Sequence, residues 1–202
     1  MHGRVLVGIR INGRKFPVVK RIGVWVLGAF ILAGPIQNAF AIPTDTEYIT
    51  ADKYFETALT EINSAKVSIY LVMYLVSVSP NQPEAQPSQL LKALVKAKDR
   101  GVNVKVILDQ SINFESDSLD EAILTNKNQQ SYEFLKRSGV PVFFDESQTF
   151  THTKCVVIDG ETVLLGSTNW SKSALSRNNE ANVLIRSKEL AQETWLGCRN
   201  RD

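Results

Sequence analysis

Two nearly continuous apolar runs, residues 67–76 and 102–108, bracket a segment with helical periodicity, and this limits the fold more than any other feature. Both runs are rich in β-branched residues, the pattern of strands buried on two faces. Between them Leu90, Leu91, Leu94 and Val95 recur at helical spacing, with Ser88 placed as a cap and Gly101 as a stop. Strand, helix, strand in that order implies a right-handed crossover. The expected fold class is α/β, a mixed, mostly parallel sheet flanked by helices.

The flanking segments extend the same pattern. Tyr54, Phe55, Ala58, Leu59, Ile62 and Ala65 mark a preceding amphipathic helix over about 51–64. A short helix around Tyr132, Phe134 and Leu135 leads to a third strand at 140–144, and 181–185 is a last strand before a C-terminal helix. Residues 77–88 carry three prolines and read as a loop, whereas 110–130 is polar and gives no clear pattern.

Residues 1–41 do not resemble the rest of this domain. They hold Arg4, Arg10, Arg14, Lys15, Lys20 and Arg21 without one acidic residue, then an apolar run at 22–36, then Ala39-Phe40-Ala41. That order is a signal peptide's, and the run is short for a membrane span of about 20 residues. The expectation is export to the periplasm or beyond after removal of 1–41, with an uncleaved inner-membrane anchor as the alternative, leaving one domain over 42–202. Losing six basic residues turns the formal charge from +2 to −4, so the basic whole-chain pI says nothing about nucleic acid. Two cysteines, Cys155 and Cys198, are too few for a disulfide framework, although an exported protein permits a pair.

The chemistry is concentrated at 151–169. Residues 151–158 and 162–165, separated by Asp159-Gly160-Glu161, read as a β-hairpin. Alternation along a strand puts His152 and Lys154 on one side, about 7 Å apart. The returning strand brings Gly166, Ser167 and Asn169 towards them, a glycine for close backbone approach and two neutral hydrogen-bonding side chains. Lys154, Ser167 and Asn169 form the candidate phosphate-binding set. His152 is the candidate nucleophile at phosphorus, and Glu180 is placed to orient its imidazole. Asp159, also counted with the catalytic set, is expected to organise the turn or hold a cation. No His, Cys, Asp or Glu cluster has metal-ligand spacing, so no metal or other cofactor is expected.

The pattern H-x-K-x4-D-x6-G-S-x-N, with Trp170-Ser171 and Glu180 following, resembles the HKD signature of the phospholipase D superfamily. Six fixed residues at about one in twenty each make a chance match on the order of a few in a million, so the resemblance outweighs a reading of His152 and Lys154 as ordinary surface residues. Over about residues 48–195 the chain is most similar to the short bacterial Nuc-type endonucleases, with a longer proline-rich loop at 77–88. The resemblance implies that family's fold and a covalent phosphohistidine on His152. It also implies a nucleic acid substrate, DNA and by the same chemistry RNA, with a phospholipid as the less favoured one. A non-catalytic binding protein on the same scaffold is the remaining alternative, opposed by the intact set of site residues. Outside 1–41 the chain has one histidine, whereas the family's chemistry uses two, so a homodimer with a shared active site is expected.

Overall fold

The computed structural model describes residues 8–11, 14–17, 42, 44–110, 127–146 and 150–199. The chain divides into two units, Met1–Phe40 and Ala41–Asp202. In the first, β1 (Gly8–Ile11) and β2 (Arg14–Pro17) pair as an antiparallel ribbon. The apolar run at 22–36 and the Ala39–Ala41 motif lie outside the described residues, as do most of 110–130 and the side chain of Cys198. Among the described residues, no helix is long and apolar enough to cross a membrane.

The second unit is a seven-stranded mixed sheet. Its elements are β3 (Asp45–Thr50), α1 (Ala51–Ser64), β4 (Ser68–Met73), α2 (Gln86–Asp99), β5 (Asn103–Leu108), α3 (Gln129–Arg137), β6 (Val142–Phe144), β7 (Lys154–Ile158), β8 (Thr162–Gly166), α4 (Lys172–Ser176), β9 (Ala181–Arg186) and α5 (Lys188–Arg199). The strand order is β3-β9-β8-β7-β4-β5-β6.

Mixed character and flanking helices are as expected, but the parallel share is smaller. Only β4–β5 and β5–β6 run parallel, and the other four pairings are antiparallel. A parallel partner needs a long crossover, supplied by α2 between β4 and β5. Three residues join β7 to β8, and so short a link permits only an antiparallel return.

The two faces of the sheet are covered by different helices. Ile69, Leu71 and Met73 of β4 and Val156 and Ile158 of β7 join Tyr54, Ile62, Leu90 and Leu94 of α1 and α2 in the main core. The alternate residues Cys155 and Val157 meet Val163 and Ala191 of α5 in a second, smaller core. All five residues of β7 are buried, Cys155 being a small apolar filler there. Burying a strand on both faces at the centre of the sheet fixes its register, because a one-residue slip would exchange the two cores.

One local expectation is corrected and one strand is added. Ser88 is not the cap of α2, which starts two residues earlier after Ala85, and its hydroxyl donates to the Gln82 carbonyl at 3.1 Å instead. Pro87 near the helix start needs no amide partner there, which lets the helix begin inside the proline-rich segment. Strand β3 is an edge strand whose pattern is almost wholly polar, with Ile49 its one buried residue.

Candidate active site

The site lies at one edge of the sheet, and the register places it there. Met73, the last residue of β4, pairs with both Leu108, the last of β5, and Lys154, the first of β7. On the far side of β7, Gly166 ends β8 opposite Asn182 near the start of β9. His152, Lys154, Asp109, Ser167 and Glu180 are therefore all delivered to the edge where the parallel strands end. Open α/β sheets generally bind ligands at that edge.

Lys154 and His152 differ sharply in exposure. Lys154 is only 5% exposed, and its Nζ donates to the main-chain carbonyl of His152 at 2.8 Å. The ammonium also lies 4.8 Å from the centre of the Tyr74 ring. Burial lowers its pKa from the ordinary 10.5, against the pull of Glu180 and of the buried Asp109. A desolvated cation at the end of a strand is expensive unless something anionic nearby shares the charge, and these two carboxylates do so. His152 is exposed and precedes β7 by two residues, although Tyr74 N–H still donates to the Thr153 carbonyl at 2.8 Å and extends the ladder. Its imidazole packs on Tyr74 at 4.6 Å and parallel to Phe150 at 5.6 Å, with 12° between the two planes. The histidine is thus held by its backbone carbonyl and two aromatic rings, with its ring open to solvent.

On the β8–β9 side, Ser167 Oγ donates to Glu180 Oε2 at 2.5 Å and accepts from Ala181 N–H at 3.0 Å. Glu180 Oε1 accepts from Asn178 at 3.0 Å. Both carboxylate oxygens have partners other than His152, so the expected histidine-orienting bond is not what holds Glu180. Its charge acts on Lys154 instead. Asn169 Oδ1 is buried without a hydrogen-bond partner, and the neighbouring Thr168 Oγ1 is in the same condition. Orphaned buried polar atoms are uncommon, and at a site edge they are free to serve a ligand.

Gly166 is required by the fold instead of by a substrate. A Cβ there would lie 2.2 Å from Asn182 Oδ1, 2.6 Å from the Ala181 carbonyl and 2.7 Å from Asn182 Cα. The close approach expected at this glycine is made by β9.

Asp159 does not join the site. It stands at the other end of β7, roughly 20 Å from His152 at strand spacing. Its carboxylate accepts from the main-chain N–H groups of Lys66, Val67 and Ser68 at 2.8–3.2 Å. Asp159 and Gly160 take φ of 53° and 64°, the mirror-image turn that suits a tight hairpin. The residue ties the β7–β8 turn to the start of β4 and holds amides, not a cation.

The structure adds residues that sequence reasoning passed over. Tyr74 and Phe150 wall the histidine, and the buried Asp109 acts electrostatically on Lys154. Asn128, fully buried, donates to the carbonyls of Tyr74 and Asp109, both at 2.8 Å, and accepts from Val76 N–H at 2.7 Å. It stitches together the two strand ends that carry the site. Asp109 was readable as a carboxylate just past a buried strand, a usual place for a functional group. Asn128 had no signal among the other Asn and Gln residues around it. Among the described residues no group of three or more His, Cys, Asp or Glu is arranged to hold a metal ion.

Comparison with known proteins agrees with this geometry. Residues 58–195 match the family described as cardiolipin synthase, PLD-like domain. A phospholipase D of Rickettsia bellii is 31% identical over 170 residues, covering 83% of this chain and 70% of that protein. The corresponding protein of Rickettsia conorii is 30% identical, and the match covers 67% of this chain and 59% of its relative, so the chain spans less than two thirds of that protein. A mitochondrial cardiolipin hydrolase of Xenopus tropicalis is 35% identical over 96 residues, covering 48% of this chain and 40% of the relative. Among solved structures, the phospholipase D family member Nuc from Salmonella typhimurium superposes with a TM-score of 0.58 at 28% identity, covering 79% of this chain and 93% of Nuc. The phosphatidylserine synthase of Haemophilus influenzae shares the fold, with a TM-score of 0.57 at 17% identity, covering 75% of this chain but 36% of the synthase. The chain is a phosphodiesterase of the phospholipase D superfamily, built on that family's mixed α/β fold.

Proposed function

We propose that this chain is an endonuclease that hydrolyses nucleic-acid phosphodiester bonds through a covalent phosphohistidine on His152. The observation that supports nucleic acid is the likeness to Nuc, which extends over 93% of that chain at 28% identity. His152 attacks phosphorus in line, the P–O bond to the leaving strand breaks, and a proton passes to the departing alkoxide. Water then displaces the histidine and releases the phosphate end. Lys154 supplies positive charge beside the non-bridging oxygens, where charge-assisted bonds gain most in the transition state.

The proton donor is assigned to His152 of a second copy, because His2 and His152 are the chain's two histidines and His2 lies in the segment expected to be removed. A C2 homodimer brings the two rings to one site on its axis. Export by a signal peptide ending at Ala41 belongs to the same proposal.

A second reading, hydrolysis of phospholipids, is favoured by the names of the rickettsial and Xenopus relatives. The same nucleophile and cation serve either diester. The test is to incubate the protein with plasmid DNA, single-stranded RNA, phosphatidylcholine and cardiolipin, each with EDTA. Cleavage of nucleic acid that persists in chelator is the expected outcome. Turnover confined to the lipids would replace the first reading by the second, and activity lost in EDTA but restored by Mg²⁺ or Zn²⁺ would remove Lys154 as the principal stabiliser of charge on the non-bridging oxygens.

A further inference from the structure

Phe150 is 66% exposed, one of the most exposed large apolar side chains among the described residues, and it stands beside the nucleophile. It contributes little to either core: its ring touches Tyr74 at 5.2 Å with a tilt of 57° and lies parallel to the His152 imidazole. We propose that the open face of Phe150 is a nucleobase subsite, on which the nucleotide next to the scissile phosphate stacks its base while that phosphate reaches His152 and Lys154. This inference rests on the nucleic-acid reading and names the part of the substrate that the site recognises.

The geometry favours a flat neutral group. With 12° between the Phe150 and His152 planes, a base laid on Phe150 lies nearly parallel to the imidazole of the nucleophile. Stacking on an exposed aromatic ring tolerates any sequence, because every base has a π-face. An aromatic wall beside a phosphodiester also suits a quaternary ammonium headgroup, which gains most from several ring faces together. Here the Tyr74 ring already carries the Lys154 ammonium at 4.8 Å. A second cation would meet that charge, whereas a neutral base would not. A base within a duplex is covered on both faces and must be unstacked first, so the subsite favours single strands.

The test compares a single-stranded thymidine oligonucleotide with a strand of equal length made of tetrahydrofuran abasic residues, measuring kcat/KM for the wild type, F150A, F150L and F150W. The expected result is a wild-type preference for the base-bearing strand that falls about tenfold in F150A, the order of one base–aromatic stack. F150L, which keeps the bulk without the π-face, should fall with F150A, and F150W should keep the preference. Taking the ratio of the two substrates cancels any displacement of His152 that the substitution causes. A ratio equal in all four proteins would overturn the subsite, as would a wild type that cleaves both strands equally well, in which case the nuclease reading stands. A wild type that cleaves neither strand but hydrolyses phosphatidylcholine would overturn both.

Discussion

Lys154 is buried before it meets any substrate, and that sets a pH signature for the enzyme. Burial depresses its pKa below 10.5 while Glu180 and Asp109 partly restore it. The charged form is the one that stabilises a phosphoryl transition state, so kcat/KM should fall on an alkaline limb placed below pH 10.5. Stability should move the other way. In that window the unfolded chain still binds the proton that the folded one has released, and stability rises with pH wherever the unfolded state holds more protons. K154R, whose guanidinium stays charged throughout, should retain weak activity without that limb. A limb at or above 10.5, or one that persists in K154R, would point to another group. Asp159 gives the same sign in the acid range. Burial pushes its carboxyl up, but the Ser68, Lys66 and Val67 amides more than reverse this and hold it below 3.8. Its stabilisation is therefore full above that pH and lost as pH falls through the lower folded value. D159N should destabilise the fold by about 1.5–3 kcal/mol, the usual worth of hydrogen bonds to a charged group, and flatten the acid limb of stability. Urea titration at several pH values measures both, and an unchanged midpoint would contradict the tie to β4.

At the scale of elements, the β8–β9 contact is the tightest constraint on the site. G166A forces a methyl against the Asn182 side chain and against two main-chain atoms of β9, and the main-chain atoms cannot move aside without parting the strands. Overpacking of this kind costs about 1–3 kcal/mol, and the displaced Ser167–Glu180 pair should lower activity as well. Wild-type thermal stability in G166A would mean that β9 yields freely. The central elements were legible because burial on two faces leaves only one kind of residue to use: α1 was read at its observed bounds, and β4, β5 and β7 within a few residues. What escaped was decided by neighbours. Strand β3 is polar because its side chains, Ile49 apart, lie outside the core, so no alternation marks it as a strand. The five-residue helix α4 is too short for a period to show, and its cap, Ser171 accepting from Ala174 N–H at 3.3 Å, is visible only once folded. Antiparallel pairing outnumbered parallel because loop lengths, not apolar runs, decide direction. In the site, the spacing of His152, Lys154, Ser167 and Glu180 was enough to bring them to one edge. It placed Asp159 at the hairpin turn, but could not say that Glu180 would bond Ser167, or that Asp159 would hold the Lys66, Val67 and Ser68 amides.

For the molecule as a whole, the histidine count separates two kinds of enzyme. If one site is shared across a C2 axis, both copies of His152 are needed in each turnover, one as nucleophile and one as proton donor. A heterodimer of wild type with H152A then has a single imidazole and should be inactive, as should the H152A homodimer. His152 is exposed and outside both cores, so the variant should fold and exchange subunits like the parent. Co-refolding the two proteins in varied proportion, with exchange verified by mass-tagged subunits, should give activity that falls as the square of the wild-type fraction. At equal amounts random pairing leaves about a quarter of the dimers competent, against about half the activity if each chain builds its own site. A straight line would assign the leaving-group proton to a residue of the same chain. Tyr74 would be the first to test, since its ring already packs against the nucleophile at 4.6 Å.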